Sequence, residues 1–426
     1  MRNNIINTVN IAAASNGAPF MFTINVNADD IISLPTLLSD LTYDYYVDWG
    51  DGNISPRIQT HNDLNKQHTY TSSGEYQVKV YGIMEGFTVP SFVPIRNNII
   101  SIDSWGTAGM FKDFSISNST SLISLPNQSG KLFNLTNIGP IFSGCSSLAN
   151  IPNGIFKGNT IATSANGAFQ NCDSLTSIPE DLFLNTAITD FRLAFSGCVN
   201  ISSIPENLFA SNVNAVDFSS TFKEMTGITN IPSGLFSNNP NVTTFEETFL
   251  FCGGITSIPL TLFDSNTSVT SFRGTFNSCI SLTGAAPALW LRTDPIPLGT
   301  NCFNNCPGLT NRNVIPSNWG GDLLVVTFNQ ITIGDGANNS EWVIWMDLQM
   351  DTNYIPATPA FNIPGFTITD VNYQYGDEYV LIITSELAQT GQSYTMSYTQ
   401  PGVNDLRSIQ GTLLDSFTDY SVTNNI

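Results

Sequence analysis

The sequence predicts a mainly β protein in three parts: an antiparallel β-sandwich, a solenoid of about eight coils of 26–27 residues, and a second β-sandwich. Three observations predict it. First, a Phe-x-x-Cys step returns seven times, at Phe142–Cys145, Phe169–Cys172, Phe195–Cys198, Phe222–Met225, Phe249–Cys252, Phe276–Cys279 and Phe303–Cys306. The intervals at its last position are 27, 26, 27, 27, 27 and 27 (172−145, 198−172 and onward). A fixed period in the twenties marks one supersecondary unit stacked on its own copies, each burying its apolar side only against its neighbours. Second, Ile151-Pro152, Ile178-Pro179, Ile204-Pro205, Ile231-Pro232 and Ile258-Pro259 keep the same rhythm. Four residues after each Pro stands an aromatic: Phe156, Phe183, Phe209, Phe236, Phe263. Third, the flanking regions alternate apolar and polar residues between turn signals, and no long amphipathic helical pattern occurs.

Residues 1–19 are rich in Asn and Ala without a strong period, and an N-terminal arm is expected there. From Phe20 the chain alternates (Phe20, Phe22, Ile24, Val26) as a half-buried strand should. Tyr43 to Gly52 ends in Trp49-Gly50-Asp51-Gly52, and His68-Thr69-Tyr70 leads through Gly74 and Tyr76 to Val78 and Val80. Strand, tight turn, loop and alternating strand describe a small antiparallel sandwich. The Trp-Gly-Asp-Gly turn and the His-Thr-Tyr…Gly-x-Tyr-x-Val run resemble a PKD domain, over residues 20–92. Asp48, Asp51 and His68 invite a catalytic or Ca²⁺ reading. Asp51-Gly52 is equally a turn dipeptide tolerant of positive φ, and His68 opens a strand, so the structural reading is preferred.

The solenoid is expected over 93–319. Ile102 to Gly106 leads in, and Leu125-Pro126 precedes Ile151-Pro152 by one period (152−126 = 26). Ala286-Pro287 with Trp290, then Ile315-Pro316 with Trp319, close the array with the atypical end repeats that a capped core needs. Within a coil, the Leu-x-x-Ile segment should be short and extended, ended by a Pro that lacks a ladder donor. Ile188, Val213, Val242 and Val269 should supply a core layer. Six of the seven Cys sit at the repeat position and Cys302 does not. Free Cys behaves as a small hydrophobe, zinc sites need ligand pairs two to four apart, and Met225 replaces one member. The column therefore reads as packing, with no metal.

The Phe-x-x-Cys-x-x-Leu and Ile-Pro signatures resemble BspA-like leucine-rich repeats. A PKD-like front joined to such repeats by Ile-x-x-Trp-Gly is similar to surface proteins of Bacteroidetes, mycoplasmas and some phages. From 320 to 426 strand-like runs (Val325–Phe328, Trp342–Trp345, Phe366–Thr369, Tyr379–Ile383, Tyr394–Tyr398, Phe417–Val422) suggest another sandwich. Leu387 to Tyr394, Leu406 to Gly411 and Ser416 to Asn424 resemble a SwmB-type Ig-like module, whose implied role is spacing and display.

The 426 residues carry 14 Lys and Arg against 34 Asp and Glu, a net charge of −20. Such a surface repels phosphate backbones, so no nucleic-acid partner is expected. No run approaches ~18 apolar residues, which reads against membrane insertion, and Met1 to Asn10 has no apolar core of a Sec signal. Phosphate loops, Gly-x-Ser-x-Gly and His-Glu-x-x-His are absent, so no cofactor is expected. Glu180-Asp181 and Glu246-Glu247 are adjacent carboxylates, whereas glycosidases set two across a cleft; a solvated surface is the preferred reading. The sequons at Asn118, Asn134, Asn200, Asn241 and Asn266 are those that an Asn/Ser/Thr-rich chain produces by chance.

The resulting expectation is a non-enzymatic structural or adhesive protein on a phage virion, as head or tail fibre or surface decoration. The absence of an export signal beside an exterior-type composition motivates it; a BspA-like bacterial cell-surface adhesin is the alternative. Expected partners are other virion proteins, through the arm or the PKD-like domain, surface glycans, and further copies of the chain. The candidate ligand-binding residues are the exposed, strand-borne Asn150, Ser177, Ser203, Asn230 and Ser257, whose amides and hydroxyls can bond sugar hydroxyls.

Overall fold

The computed structural model describes residues 17–36, 38–89 and 94–321, then the segments 328–333, 341–346, 361–362, 370–374, 377–384, 393–398 and 417–423. The expected arm lies, but for residues 17–19, outside the described residues, as do Phe366–Thr369 and the runs 387–392 and 406–411. Among the described residues, the regular structure is strand, and helix is confined to 3-10 turns of three or four residues. Two compact units result, Met1–Asn311 with Asn318–Gly320, and Arg312–Ser317 with Gly321–Ile426.

The first unit opens on a four-stranded sheet. Its members are β1 (Phe20–Val26), β3 (Tyr43–Asp48), β5 (Gly74–Met84) and β7 (Ile99–Trp105), in the order β3-β5-β1-β7 with antiparallel neighbours. Two-residue periodicity sends Phe20, Phe22, Ile24 and Val26 to the buried face, with Tyr43, Tyr45 and Val47 beside them. β2 (Ile31–Ser33) pairs with β4 (Gln67–Thr69). Gly50 turns the chain at φ +84°, where a Cβ would lie 2.7 Å from the Gln77 carbonyl oxygen, so only Gly fits.

β7 falls beyond the expected boundary between residues 92 and 93, yet it is a strand of this sheet. It also bridges forward in parallel through Ser101 to Ser124, while β6 (Gly86–Thr88) pairs in parallel with β8 (Asp113–Ser115). An aromatic cluster fills the join: Phe20 lies 5.2 Å from Phe87 and 5.0 Å from Phe111, and Trp105 5.3 Å from Phe114. The sheet and the first coil therefore share one core, and β7 caps the array with paired rather than bare backbone.

Beyond β8 the contacts repeat with the period of the sequence. Parallel bridges link Ser164, Asp190, Asp217, Thr244, Ser271 and Leu298 in succession. Each coil donates to the next, as in Phe191 N to Asp217 O at 2.9 Å and Phe272 N to Leu298 O at 2.7 Å. Identical side chains must then stack one rung apart. Phe142, Phe169, Phe195, Phe222, Phe249, Phe276 and Phe303 form one column, with ring centroids 5.4–5.9 Å apart. Phe156, Phe183, Phe209, Phe236 and Phe263 form a second at 6.0–6.3 Å. Phe191, Phe218, Phe245 and Phe272 form a third, which Trp319 closes at 6.5 Å.

Two further columns satisfy buried carbonyls. The Nδ2 of Asn239 donates to Phe209 O (3.1 Å) and Asn212 O (2.8 Å), and that of Asn266 donates to Phe236 O and Asn239 O. At the end of this ladder Arg292 donates to Asn266 O (2.8 Å) and Phe263 O (2.7 Å), taking the place of the next Asn. The hydroxyls of Thr221, Thr248 and Thr275 likewise donate to a Phe carbonyl of their own coil and to one of the preceding coil. Each Phe-x-x-Cys turns at its third residue, from Gly144 to Asn305, with φ between +54° and +78°.

One core expectation changes here. Val213 is 51 % exposed, and the buried Ala215 takes its place beside Ile188, Val242 and Val269. The spacing after Phe209 is six residues (215−209), as after Phe236 and Phe263, so Val213 falls two residues early. Asn266, a sequon by pattern, is fully buried in the ladder.

In the second unit, β9 (Phe328–Ile333), β10 (Glu341–Met346), β12 (Asp370–Gln374) and β13 (Asp377–Thr384) form a sheet in the order β12-β13-β10-β9. β11 (Phe361–Asn362), β14 (Ser393–Tyr398) and β15 (Phe417–Thr423) form another, in the order β11-β14-β15.

Candidate functional site

The repeated cysteines are chemically quiet. All seven are buried, and none is joined to another by a disulfide. Each repeat-position thiol donates to a carbonyl of the preceding coil: Cys172 to Phe142 O (3.1 Å), Cys198 to Phe169 O (3.0 Å), Cys252 to Phe222 O (3.0 Å), Cys279 to Phe249 O (3.1 Å). Cys302 precedes its Phe and so falls in the column of Ala168, Ala194, Thr221, Thr248 and Thr275, which explains its separate place. Burial pushes the thiols of Cys145, Cys198 and Cys252 up to about 12, and those of Cys172 and Cys279 well up. Thiolate, not thiol, is the nucleophile and metal ligand. A folded value above the unfolded one, about 8.5, means stability that is complete below that pH and lost as pH climbs towards 12. We expect the unfolding midpoint to fall between pH 9 and 12, and a thiol-specific disulfide reagent at pH 8 to find no reactive group until denaturant is added. Rapid modification of the native chain would contradict the packing described.

The candidates Asn150, Ser177, Ser203, Asn230 and Ser257 all lie exposed at one column position, immediately before the Ile of Ile-Pro. They are not on stacked strands as expected. The parallel bridges run instead through Ser164 to Leu298. The Pro two residues on lacks a donor, so the candidate segment makes isolated bonds such as Ala149 N to Ile123 O (3.1 Å) and Thr256 N to Thr229 O (3.1 Å). Asn150 borders a shallow depression of about 260 Å³ with Asn127 and Asn153.

A larger cavity, about 450 Å³, opens where three successive Ile-Pro turns meet. Asn153 comes from the first, Glu180, Asp181 and Leu184 from the second, and Asn207, Leu208, Ala210 and Ser211 from the third. Asn207 Nδ2 donates to Glu180 Oε1 at 2.6 Å, and Gly154 N donates to Asp181 Oδ1 at 2.8 Å. The sequence reading left Glu180 and Asp181 as solvated surface; the available signal was the single 26-residue interval, whose missing residue falls between Phe183 and Ile188. Glu246 and Glu247 differ, being paired with Arg273 (2.6 Å) and Lys223 (3.1 Å).

In the N-terminal sheet region, His68 stacks on Trp49 at 5.1 Å and its Nε2 lies 2.7 Å from Asp51 Oδ2. Burial by itself would raise the Asp51 carboxyl, but hydrogen bonds from the Asn53 side chain and backbone and from His68 outweigh it and hold it low. Tyr70 Oη donates to Trp49 O at 2.8 Å, so the group knits turn to strand. Among the described residues there is no cluster of three or more His, Cys, Asp or Glu able to hold a metal, and no helix long and apolar enough to cross a membrane. No family model matches the chain, and no curated protein matches it.

Proposed function

We propose that this chain is a non-enzymatic structural and adhesive protein of a phage particle, a fibre or surface decoration that contacts host or mucosal glycans. Its layout in this reading is a PKD-like sandwich, a leucine-rich-repeat solenoid and an Ig-like sandwich, with particle proteins bound through the arm or the PKD-like part and copies associating with one another. One observation carries the reading: the repeated reactive groups are consumed by rung-to-rung bonds inside, while rows of short amides and hydroxyls such as Asn150, Ser177 and Ser203 repeat outside. Evenly spaced hydroxyl-bonding groups suit an extended polymer better than a single small substrate.

The test has two arms. Antibodies against the chain should label phage particles by immunogold electron microscopy, and the full chain should bind a glycan array without releasing reducing sugar. Label confined to bacterial envelopes would favour a cell-surface adhesin, and a blank array would leave a spacer.

A further inference from the structure

We propose that the cavity beside Glu180 and Asp181 is a subsite for one neutral, vicinal-hydroxyl-bearing saccharide unit; this rests on the glycan-contacting reading above. Its volume, about 450 Å³, is within the usual range for small-ligand pockets.

The polar groups are already oriented. Glu180 Oε1 is held by Asn207 Nδ2 at 2.6 Å, and Asp181 Oδ1 by the Gly154 amide at 2.8 Å. The second oxygen of each carboxylate has no hydrogen bond among the described residues. A carboxylate fixed by one oxygen and open at the other is a strong acceptor for a hydroxyl, since charge-assisted bonds are the shorter and stronger ones. The Asn153 amide adds a donor and an acceptor from the neighbouring coil. Leu184 and Ala210 provide an apolar wall for the C–H face of a sugar ring.

The combination is local to these coils. At the two positions after the Ile-Pro proline, the five turns carry Asn153-Gly154, Glu180-Asp181, Glu206-Asn207, Ser233-Gly234 and Leu260-Thr261. Only the second offers two adjacent carboxylates. After the aromatic, Lys157, Leu184, Ala210, Ser237 and Asp264 follow one another, so the cavity sits where Leu is succeeded by the smallest member. The short interval between Cys172 and Cys198 removes a residue from the turn beside it, where Thr186 takes the column place of Asn. The space is thus a defect in an otherwise regular stack. No cationic side chain lines it, and the net charge is −20, so sialylated or sulfated sugars are disfavoured.

The test uses the full chain, dialysed against a chelator, titrated calorimetrically with lactose, cellobiose, mannobiose and N-acetyllactosamine, with sialyllactose as the anionic comparison. At least one neutral sugar should bind about tenfold or more tightly than sialyllactose. Glu180→Gln, which keeps the shape, and Ala210→Leu, which fills the space with the residue already present at position 184, should each weaken that binding at least about tenfold. Leu260→Ala, at the same turn position further along the array, should leave it unchanged. Equal binding by wild type and both variants overturns the subsite while the wider glycan reading stands. Binding of none of the disaccharides also overturns it, and a blank or populated glycan array then tells whether the wider reading falls too.

Discussion

Replacing Phe209 by Ala should lower the unfolding free energy by about 3–5 kcal/mol. Phe209 is fully buried and touches five rings: Phe191 and Phe218 at 4.7 Å, Phe222 at 6.0 Å, Phe183 and Phe236 at 6.2 Å. The transfer free energy of the ring is only part of the cost. Backbone bonds hold the rung spacing on both sides, so the neighbours cannot collapse into the void, and a cavity that cannot close is the expensive kind. In a stack stabilised by nearest-neighbour contacts, the damage should also split the array, separating urea unfolding into two transitions. Phe251→Ala is the control, because that ring is 47 % exposed and stands outside the columns; its effect should stay within about 0.5 kcal/mol. A Phe209→Ala loss below 1 kcal/mol would mean the columns do not carry the fold.

Asn239→Asp should cost about 4 kcal/mol near neutral pH and far less in acid. The substitution keeps the shape but replaces the Nδ2 that donates to Phe209 O and Asn212 O at 3.1 and 2.8 Å. A carboxylate there would face two carbonyl oxygens in a site with no solvent. Burial and the missing donors would raise its folded pKa by about three units, each worth 1.36 kcal/mol. The sign follows: a raised folded value leaves the protonated variant least harmed below about pH 3.9, and the penalty grows as pH rises above it. The difference in unfolding free energy from wild type, measured between pH 3 and 8, should widen upward. A pH-independent difference would place the side chain in contact with water.

The rungs are legible in the sequence because burial selects residue type strongly. A column whose members touch their own copies accepts little besides Phe, or Cys and Met, and the period survives as a string of identical letters. The Asn ladder is harder to see, since Asn is common throughout the chain: Asn239 and Asn266 stand three residues after Phe236 and Phe263, and burial separates them from the exposed Asn238 and Asn241. Val213 misleads for the opposite reason: an apolar letter near the right place is exposed, while the small Ala215 is inside. Cys302 stands four residues before Cys306 yet belongs with the residues preceding each Phe, which only alignment by Phe makes plain. The candidate row from Asn150 to Ser257 is exposed at one position, but which segment carries the bridges was decided by where Pro withholds a donor.

By itself, the sequence determined the β-rich character, the rung period, the Phe and Cys columns and the acidic surface, because each follows from local residue type and spacing. The tertiary structure alone decided that β7 serves both the first sheet and the stack, that Arg292 ends the Asn ladder, and that Glu180 and Asp181 border a cavity. Those outcomes depend on carbonyls and ring faces brought together from different coils, which no local pattern encodes. Register between neighbours sets them.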